Sequence, residues 1–192
     1  MPRRPLASAL LLGAALALTG ATARAATLLA ADLAQLVKMS DYVVLAKAES
    51  RTSRKQASSG MIVTDVRLRV QSALKGATKP GESITATLLG GTIGDVGLHV
   101  SGEAIIPDGR GVIVFLRRAG NGELNVSGMG QGVLSIAGQG GTAMVMPAAP
   151  DAALVQPDDQ GKLQPSEPQA LPGPQPLAAV LAEIRRLAGT EL

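Results

Sequence analysis

Residues 61–74, MIVTDVRLRVQSAL, decide the fold class, because polar and apolar side chains alternate along them with a period of two. An extended strand points successive side chains to opposite faces of a sheet, so this stretch has one apolar face and one wet face. The pattern predicts an antiparallel strand with a single buried side. The apolar parity is Ile62, Thr64, Val66, Leu68, Val70 and Leu74, and the polar parity is Asp65, Arg67, Arg69 and Gln71.

Short apolar runs on both sides of this stretch predict further strands. YVVLAKA at 42–48 and GVIVFL at 111–116 are rich in β-forming residues and are typical of buried strands. The charged residues 50–60 predict an exposed hairpin loop, and residues 90–111 predict a long glycine-bearing loop. Shorter strand candidates lie at 84–89, 123–127, 133–136 and 143–146.

Together these elements predict a mostly β fold. Leucines at helical spacing within 28–39 predict a short N-terminal helix before the strands. Five or six antiparallel strands favour a small barrel resembling the oligonucleotide/oligosaccharide-binding (OB) type, or a sandwich. We therefore expect an antiparallel OB-like barrel or sandwich with a short N-terminal helix, a Pro-rich linker and a short C-terminal helix.

The first 25 residues have the composition of a signal peptide. Two arginines at the start, an apolar run over 6–19 and the sequence Ala-Arg-Ala at 23–25 predict cleavage before Ala26. The apolar run is too short to cross a bilayer core of about 30 Å, although an uncleaved anchor helix is the alternative. We expect an exported protein, periplasmic or extracellular, with no transmembrane segment in the mature chain.

The mature chain divides into three parts by composition. Residues 26–146 hold the predicted β domain. Residues 147–176 contain eight of the twelve prolines, which predicts a disordered linker. Residues 177–192 predict a short amphipathic helix that either docks on the domain or binds a partner, since a lone helix of this length is marginal in water. The oligomeric state stays open.

Composition excludes several classes of function. Residues 1–25 contain three of the 18 basic residues and no acid, so the mature chain has 15 of each sign. A neutral chain gives no electrostatic reason to expect a nucleic acid partner. One Phe, one Tyr and no Trp leave few rings for stacking on sugars or bases. Without cysteine, packing and strand hydrogen bonds have to stabilise the fold.

A series of motifs over residues 40–136 carries a resemblance. In order they are SDYVVLAKAES (40–50), TDVRLRVQSALKG (64–76), LLGGTIGDVGLHVSG (88–102), GVIVFL (111–116) and GMGQGVLSI (128–136). This series resembles a family of uncharacterised secreted bacterial β domains, which implies a fold and a compartment but no activity. It is more distantly similar to the OB barrels of netrin-like domains, which include tissue inhibitors of metalloproteinases. Those inhibitors bind a catalytic metal through an N-terminal cysteine that this chain lacks, so their mechanism is not carried over.

The glycine-bearing loop and its neighbours are one candidate binding site. No Gly-Lys-Ser/Thr follows the glycines, so a phosphate cradle is not indicated. His99 is the only histidine, and no serine lies in a G-x-S-x-G elbow. We assign no catalytic residue, no metal site and no cofactor. The candidate binding loop comprises Gly90, Gly91, Asp95, His99, Glu103, Asp108 and Arg110.

A second candidate is a basic patch, for which an ordinary solvated strand face is the alternative. These features favour an exported, non-catalytic binding or accessory domain whose partner is a co-secreted protein or an anionic envelope polymer. One alternative is a regulator or inhibitor of a secreted peptidase, and another is a hydrolase that uses His99. The patch comprises Lys47, Arg51, Arg54, Lys55, Arg67 and Arg69.

Overall fold

The computed structural model describes residues 26–190, and the predicted signal peptide at 1–25 lies outside the described residues. The fold is mostly β, as the sequence predicts. The two helices are α1 (Leu33–Met39) and α2 (Leu177–Ala188), and short 3-10 turns lie at Met129–Gly132 and Gly140–Thr142. The strands are β1 (Thr27–Leu29), β2 (Tyr42–Lys55), β3 (Ile62–Lys75), β4 (Ser83–Leu89), β5 (Gly91–Ile93), β6 (Val96–Leu98), β7 (Gly111–Arg118), β8 (Leu124–Val126), β9 (Val133–Ala137), β10 (Met144–Val145), β11 (Ala153–Pro157), β12 (Leu163–Pro165) and β13 (Gln175–Pro176).

The main sheet has eight strands in the order β13-β10-β9-β7-β2-β3-β4-β8. The β2–β3 hairpin is its longest pairing, and its register shifts at three places, one of them beside Glu49. β8 runs parallel to β4, where Ala86 lies opposite Leu124, and it also pairs antiparallel with the end of β7. The pairings β7–β2–β3–β4–β8 therefore lead back to β7.

The central strand β7 separates two hydrophobic cores. Its residues Val112, Val114 and Leu116 belong to the first core, whereas Ile113 and Phe115 belong to the second. All five side chains are fully buried. Full burial of an aliphatic or aromatic side chain stabilises a fold by about 1.5–3 kcal/mol, so this strand contributes to stability from both faces. The predicted buried strand at 111–116 is confirmed.

The predicted alternation is confirmed over 66–71, whereas Val63, on the opposite parity, is also fully buried. Val66, Leu68 and Val70 are at most 1% exposed and lie in the first core, while Arg67 and Arg69 are exposed. The prediction of an exposed loop over 50–60 is wrong, because β2 continues to Lys55 and only 56–61 form the turn. Arg51 pairs with Asp108, and Arg54 pairs with Asp65 on β3 and with Glu123 just before β8, so the charges of this segment are partnered by distant parts of the chain.

The predicted N-terminal helix is shorter than expected. Residues 27–29 form β1, and α1 begins only at Leu33, after a reciprocal cap. The Asp32 carboxylate accepts the backbone N–H of Gln35 at 2.7 Å, and the Gln35 side chain accepts the N–H of Asp32 at 2.9 Å. This capping box fixes where the helix begins. The predicted loop over 90–111 likewise contains the small β5–β6 hairpin.

The Pro-rich segment differs from the predicted disordered linker. β11 pairs in parallel with β1 and antiparallel with β12, and the two-residue β13 pairs with β10, so three strands lie within 147–176. Leu154 and Leu171 are 7% and 3% exposed. These isolated leucines anchor a stretch that has little other apolar surface to bury.

The C-terminal helix docks on the domain. Val180 and Ile184 are at most 1% exposed and belong to the second core, and α2 packs against α1. Docking supplies the tertiary contacts that a helix of twelve residues needs. Within residues 26–190 no helix is long and apolar enough to cross a membrane.

Candidate functional site

The structure brings part of the predicted binding loop together. Gly90, Gly91, His99 and Glu103 line one depression of about 230 Å³, here called the loop pocket. Asp95 is exposed in the turn between β5 and β6 and does not line it. The loop pocket therefore has two glycines, one histidine and one carboxylate from the predicted set.

The other two predicted loop residues lie elsewhere. Asp108 accepts a hydrogen bond from Arg51 at 2.6 Å, which ties the end of the loop to β2. Arg110 lines a separate and larger groove, in the company of Lys47. The predicted site is thus divided between two places on the surface.

Glu103 and Gly91 have local structural roles in the loop pocket. The two carboxylate oxygens of Glu103 accept the backbone N–H groups of Leu89, at 3.0 Å, and Ala104, at 2.7 Å. Gly91 has a φ of +133°, and a Cβ there would overlap the hydroxyl of Thr64. A side chain is excluded at this position on both conformational and steric grounds.

His99 lies at the surface beside one carboxylate. Its imidazole is 77% exposed, and its Nε2 lies 3.4 Å from the carboxylate of Asp151. No hydroxyl hydrogen-bonds to this imidazole within residues 26–190. The described residues also contain no group of three or more His, Cys, Asp or Glu side chains that could hold a metal ion.

Most of the predicted basic patch is neutralised by ion pairs. Arg54 donates to Asp65 at 2.6 Å and to Glu123 at 2.6 Å, while Gln56 donates to the second oxygen of Glu123. Hydrogen bonds to the two carboxylates raise the pKa of Arg54 above its usual range. Burial raises the pKa of Asp65, but hydrogen bonds from Arg54 and Thr87 outweigh it and leave that pKa lowered. The hydrogen bond from Arg54 also lowers the pKa of Glu123.

Three further patch residues, Lys47, Arg67 and Arg69, form a stripe on the outer face of β2 and β3. The Glu49 carboxylate lies 2.7 Å from Nε of Arg69 and 3.3 Å from Nε of Arg67. The hydrogen bond from Arg69 lowers the pKa of Glu49. Lys47 lies opposite Arg69 in the strand register. Within residues 26–190 neither Lys47 nor Lys55 pairs with a carboxylate. Lys55 lies at the turn of the hairpin, far along β2 from Lys47.

A groove of about 800 Å³ lies at one end of this stripe, here called the cationic groove. Its polar lining consists of Lys47, Gln71, Arg110 and Gln139, and no aspartate or glutamate contributes to it. The amide side chains add neutral donors and acceptors between the two cations. The groove therefore carries two uncompensated positive charges.

The cationic groove is also lined by three aliphatic side chains. Leu45 and Ile136 come from β2 and β9, and Leu177 is the first residue of α2. Gly138 and Gly140 belong to the turn that closes one side. A recess that combines aliphatic side chains with a few polar groups is typical of a ligand site.

Sequence reasoning missed this groove. It singled out Lys47 and Arg110, but placed them in two different clusters. The rest of the lining comes from the β9–β10 turn and from the start of α2, and no local pattern shows that these segments meet at β2. In the sequence, the apolar residues of these segments indicate only buried core or helix positions.

Comparison with known proteins finds no matching family model, no matching curated protein and no matching solved structure.

Proposed function

We propose that the protein is an exported, non-catalytic binding domain that holds an extended anionic polymer in the cationic groove. The observation that supports this proposal is the lining of the groove: Lys47 and Arg110 beside aliphatic side chains, with no acid among the described lining residues. Charge complementarity selects an anionic ligand, and the open shape selects one that can lie along the surface. An anionic polymer of the cell envelope has both properties.

The energetics favour a polymer over a small anion. A surface ion pair contributes only about 0.2–1 kcal/mol, so two such pairs give weak binding on their own. The stripe formed by Arg67 and Arg69 continues from Lys47 along β2 and β3, with Glu49 as its single partner carboxylate. A repeating anion that spans the groove and the stripe adds several small contacts within one molecule. Its binding should weaken steeply with salt.

We also propose that the domain is an OB-like barrel related to the netrin-like group. The support for this is the circuit of pairings β7–β2–β3–β4–β8–β7, in which β8 runs parallel to β4 and the other pairs are antiparallel. A five-stranded Greek-key barrel has such a circuit, and its outer strand faces are a known place for polymer ligands. The stripe lies on the outer face of β2 and β3.

The experiment measures binding of fluorescently labelled polygalacturonate, a linear polyanion, to the mature protein by anisotropy. The double variant Lys47→Ala/Arg110→Ala removes both groove cations. The matched control Lys55→Ala/Lys79→Ala makes the same change in net charge at exposed positions outside the groove. At 50 mM salt we expect the groove variant to weaken the Kd about tenfold, or about 1.4 kcal/mol, from two surface ion pairs.

The control variant should change the Kd less than twofold. Equal weakening by the two double variants would show that net charge alone attracts the polymer, and the groove assignment would then be wrong. Failure of the unmodified protein to bind polygalacturonate at 50 mM salt would likewise count against a polyanion ligand.

A further inference from the structure

A single aliphatic side chain projects from the segment 103–107, Glu-Ala-Ile-Ile-Pro. Ala104 and Ile106 are 5% and 1% exposed and belong to the first core, whereas Ile105 between them is 75% exposed. Alternation of this kind is typical of an extended backbone. Ile105 is also the most exposed of the large hydrophobic side chains within residues 26–190.

The segment is held at both of its ends. Glu103 accepts the backbone N–H groups of Leu89 and Ala104, which fixes the entry to the segment. Arg51 donates to the carbonyl oxygen of Ile106 at 2.8 Å and to Asp108 at 2.6 Å. Pro107 restricts the backbone further by fixing its own φ. Ile105 is therefore presented in a defined conformation.

The main chain of Ile105 is free to pair with another molecule. Neither its N–H nor its carbonyl oxygen forms a hydrogen bond within the described part of the chain. On one side of Ile105 lies the loop pocket, and on the other lies a depression of about 270 Å³ lined by Pro107, Met146 and Pro150. Ile105 lines both recesses, and the segment 103–107 between them is here called the ridge.

We propose that this ridge inserts into the substrate cleft of a peptidase whose specificity pocket takes an aliphatic side chain, and that it blocks the cleft. Clefts that bind extended peptides form main-chain hydrogen bonds and select one or a few side chains in pockets. The ridge offers both features at Ile105. Because Ala104 and Ile106 are anchored in the first core, the conformational entropy of ordering the segment is already lost on folding. None of the residues 103–107 lines the cationic groove, so the two proposed binding surfaces are separate.

The experiment exchanges the side chain that enters the specificity pocket. An elastase-type serine peptidase has a small apolar pocket, and trypsin has an acidic pocket that selects lysine or arginine. The rate at which each enzyme hydrolyses its own chromogenic peptide is measured with increasing amounts of the mature protein. We expect competitive inhibition of elastase by the unmodified protein and none of trypsin.

The variant Ile105→Lys should reverse this pattern. Inhibition of elastase should weaken at least tenfold, and competitive inhibition of trypsin should appear. The matched control is Leu163→Lys on β12, where an aliphatic side chain is 54% exposed outside the ridge. The control should inhibit elastase as the unmodified protein does, and it should leave trypsin unaffected.

Three results would overturn the proposal. One is a folded Ile105→Lys variant, with unchanged Tm, that does not inhibit trypsin at 100 µM. Another is rapid cleavage after residue 105, detected by mass spectrometry, which would make the ridge a substrate rather than an inhibitor. The third is equal trypsin inhibition by Ile105→Lys and Leu163→Lys.

Discussion

Truncation of Ile184 to alanine tests whether helix α2 belongs to the cooperative unit of the domain. Ile184 is fully buried in the second core, opposite the face of β7 that carries Phe115. Removal of its three outer carbons costs about 2.4 kcal/mol of transfer free energy, at ~0.8 kcal/mol each. The cavity left behind brings the expected loss of free energy of unfolding to about 3–4 kcal/mol. For a chain of this size the Tm should fall by roughly 6–16 °C.

The single tyrosine provides a reporter that is remote from the change. Tyr42 lies on β2 and packs against the first core, and its hydroxyl accepts a hydrogen bond from Arg118 at 2.9 Å. Urea unfolding followed by Tyr42 fluorescence and by far-UV circular dichroism should give one shared midpoint, lowered in Ile184→Ala. The control Leu163→Ala truncates a half-exposed side chain and should change the free energy by less than about 0.5 kcal/mol.

An unchanged Tyr42 midpoint in Ile184→Ala would refute this reasoning. If the helical signal then disappears at a lower urea concentration than the Tyr42 signal, α2 undocks without unfolding the sheet. The second core would in that case be a separate and weaker unit.

Three further changes test particular contacts. Gln131→Leu should lower the free energy of unfolding, measured with urea, by about 1–3 kcal/mol. The buried amide of Gln131 accepts the N–H of Ala31 at 2.9 Å and donates to the carbonyl oxygen of Leu29 at 3.0 Å. Gly132→Ala should lower the Tm markedly, because a Cβ at this position would overlap the carbonyl oxygen of Ser127. The control Gly141→Ala should leave the Tm unchanged, because the space beside Gly141 is open. The lowered pKa of Asp65 contributes stability above its unfolded value of 3.8, and this contribution is lost as pH falls through the folded value. Thermal melting of the unmodified protein from pH 6 to pH 2.5 should show that loss as a falling Tm. Arg54→Met should have a lower Tm at pH 6 and a smaller fall in Tm with pH. Parallel Tm curves for the two proteins would contradict the assigned ion pair.

Elements that are specified by local side-chain pattern could be predicted from the sequence. The alternation over 61–74 and the apolar run over 111–116 each fix which side chains are buried, independently of the rest of the chain. The sequence does not show that β7 faces two cores. That depends on α1 and α2, which cover the face carrying Ile113 and Phe115.

Elements that depend on distant partners could not be predicted. The charges of residues 50–55 favour a loop in the sequence. The acids that pair with Arg51 and Arg54 lie 11 to 69 positions away along the chain, so the sequence does not reveal these pairs. The same distance explains why the predicted basic patch carries less net charge than its sequence indicates. Lys47 and Arg110 keep uncompensated charge in a shared recess, and their proximity follows from the pairing of β2 with β7.

The pairing of β1 with β11, and the packing of α1 on α2, set the order in which the molecule can be completed. When synthesis has reached residue 150, the sequences of β2, β3 and β7 are all present. β11, which pairs with β1, and α2, which packs on α1, have not yet been synthesised. Final closure waits for the last forty described residues. The second core, which includes Leu171, Val180 and Ile184, is therefore complete only after nearly all of residues 26–190 have been synthesised.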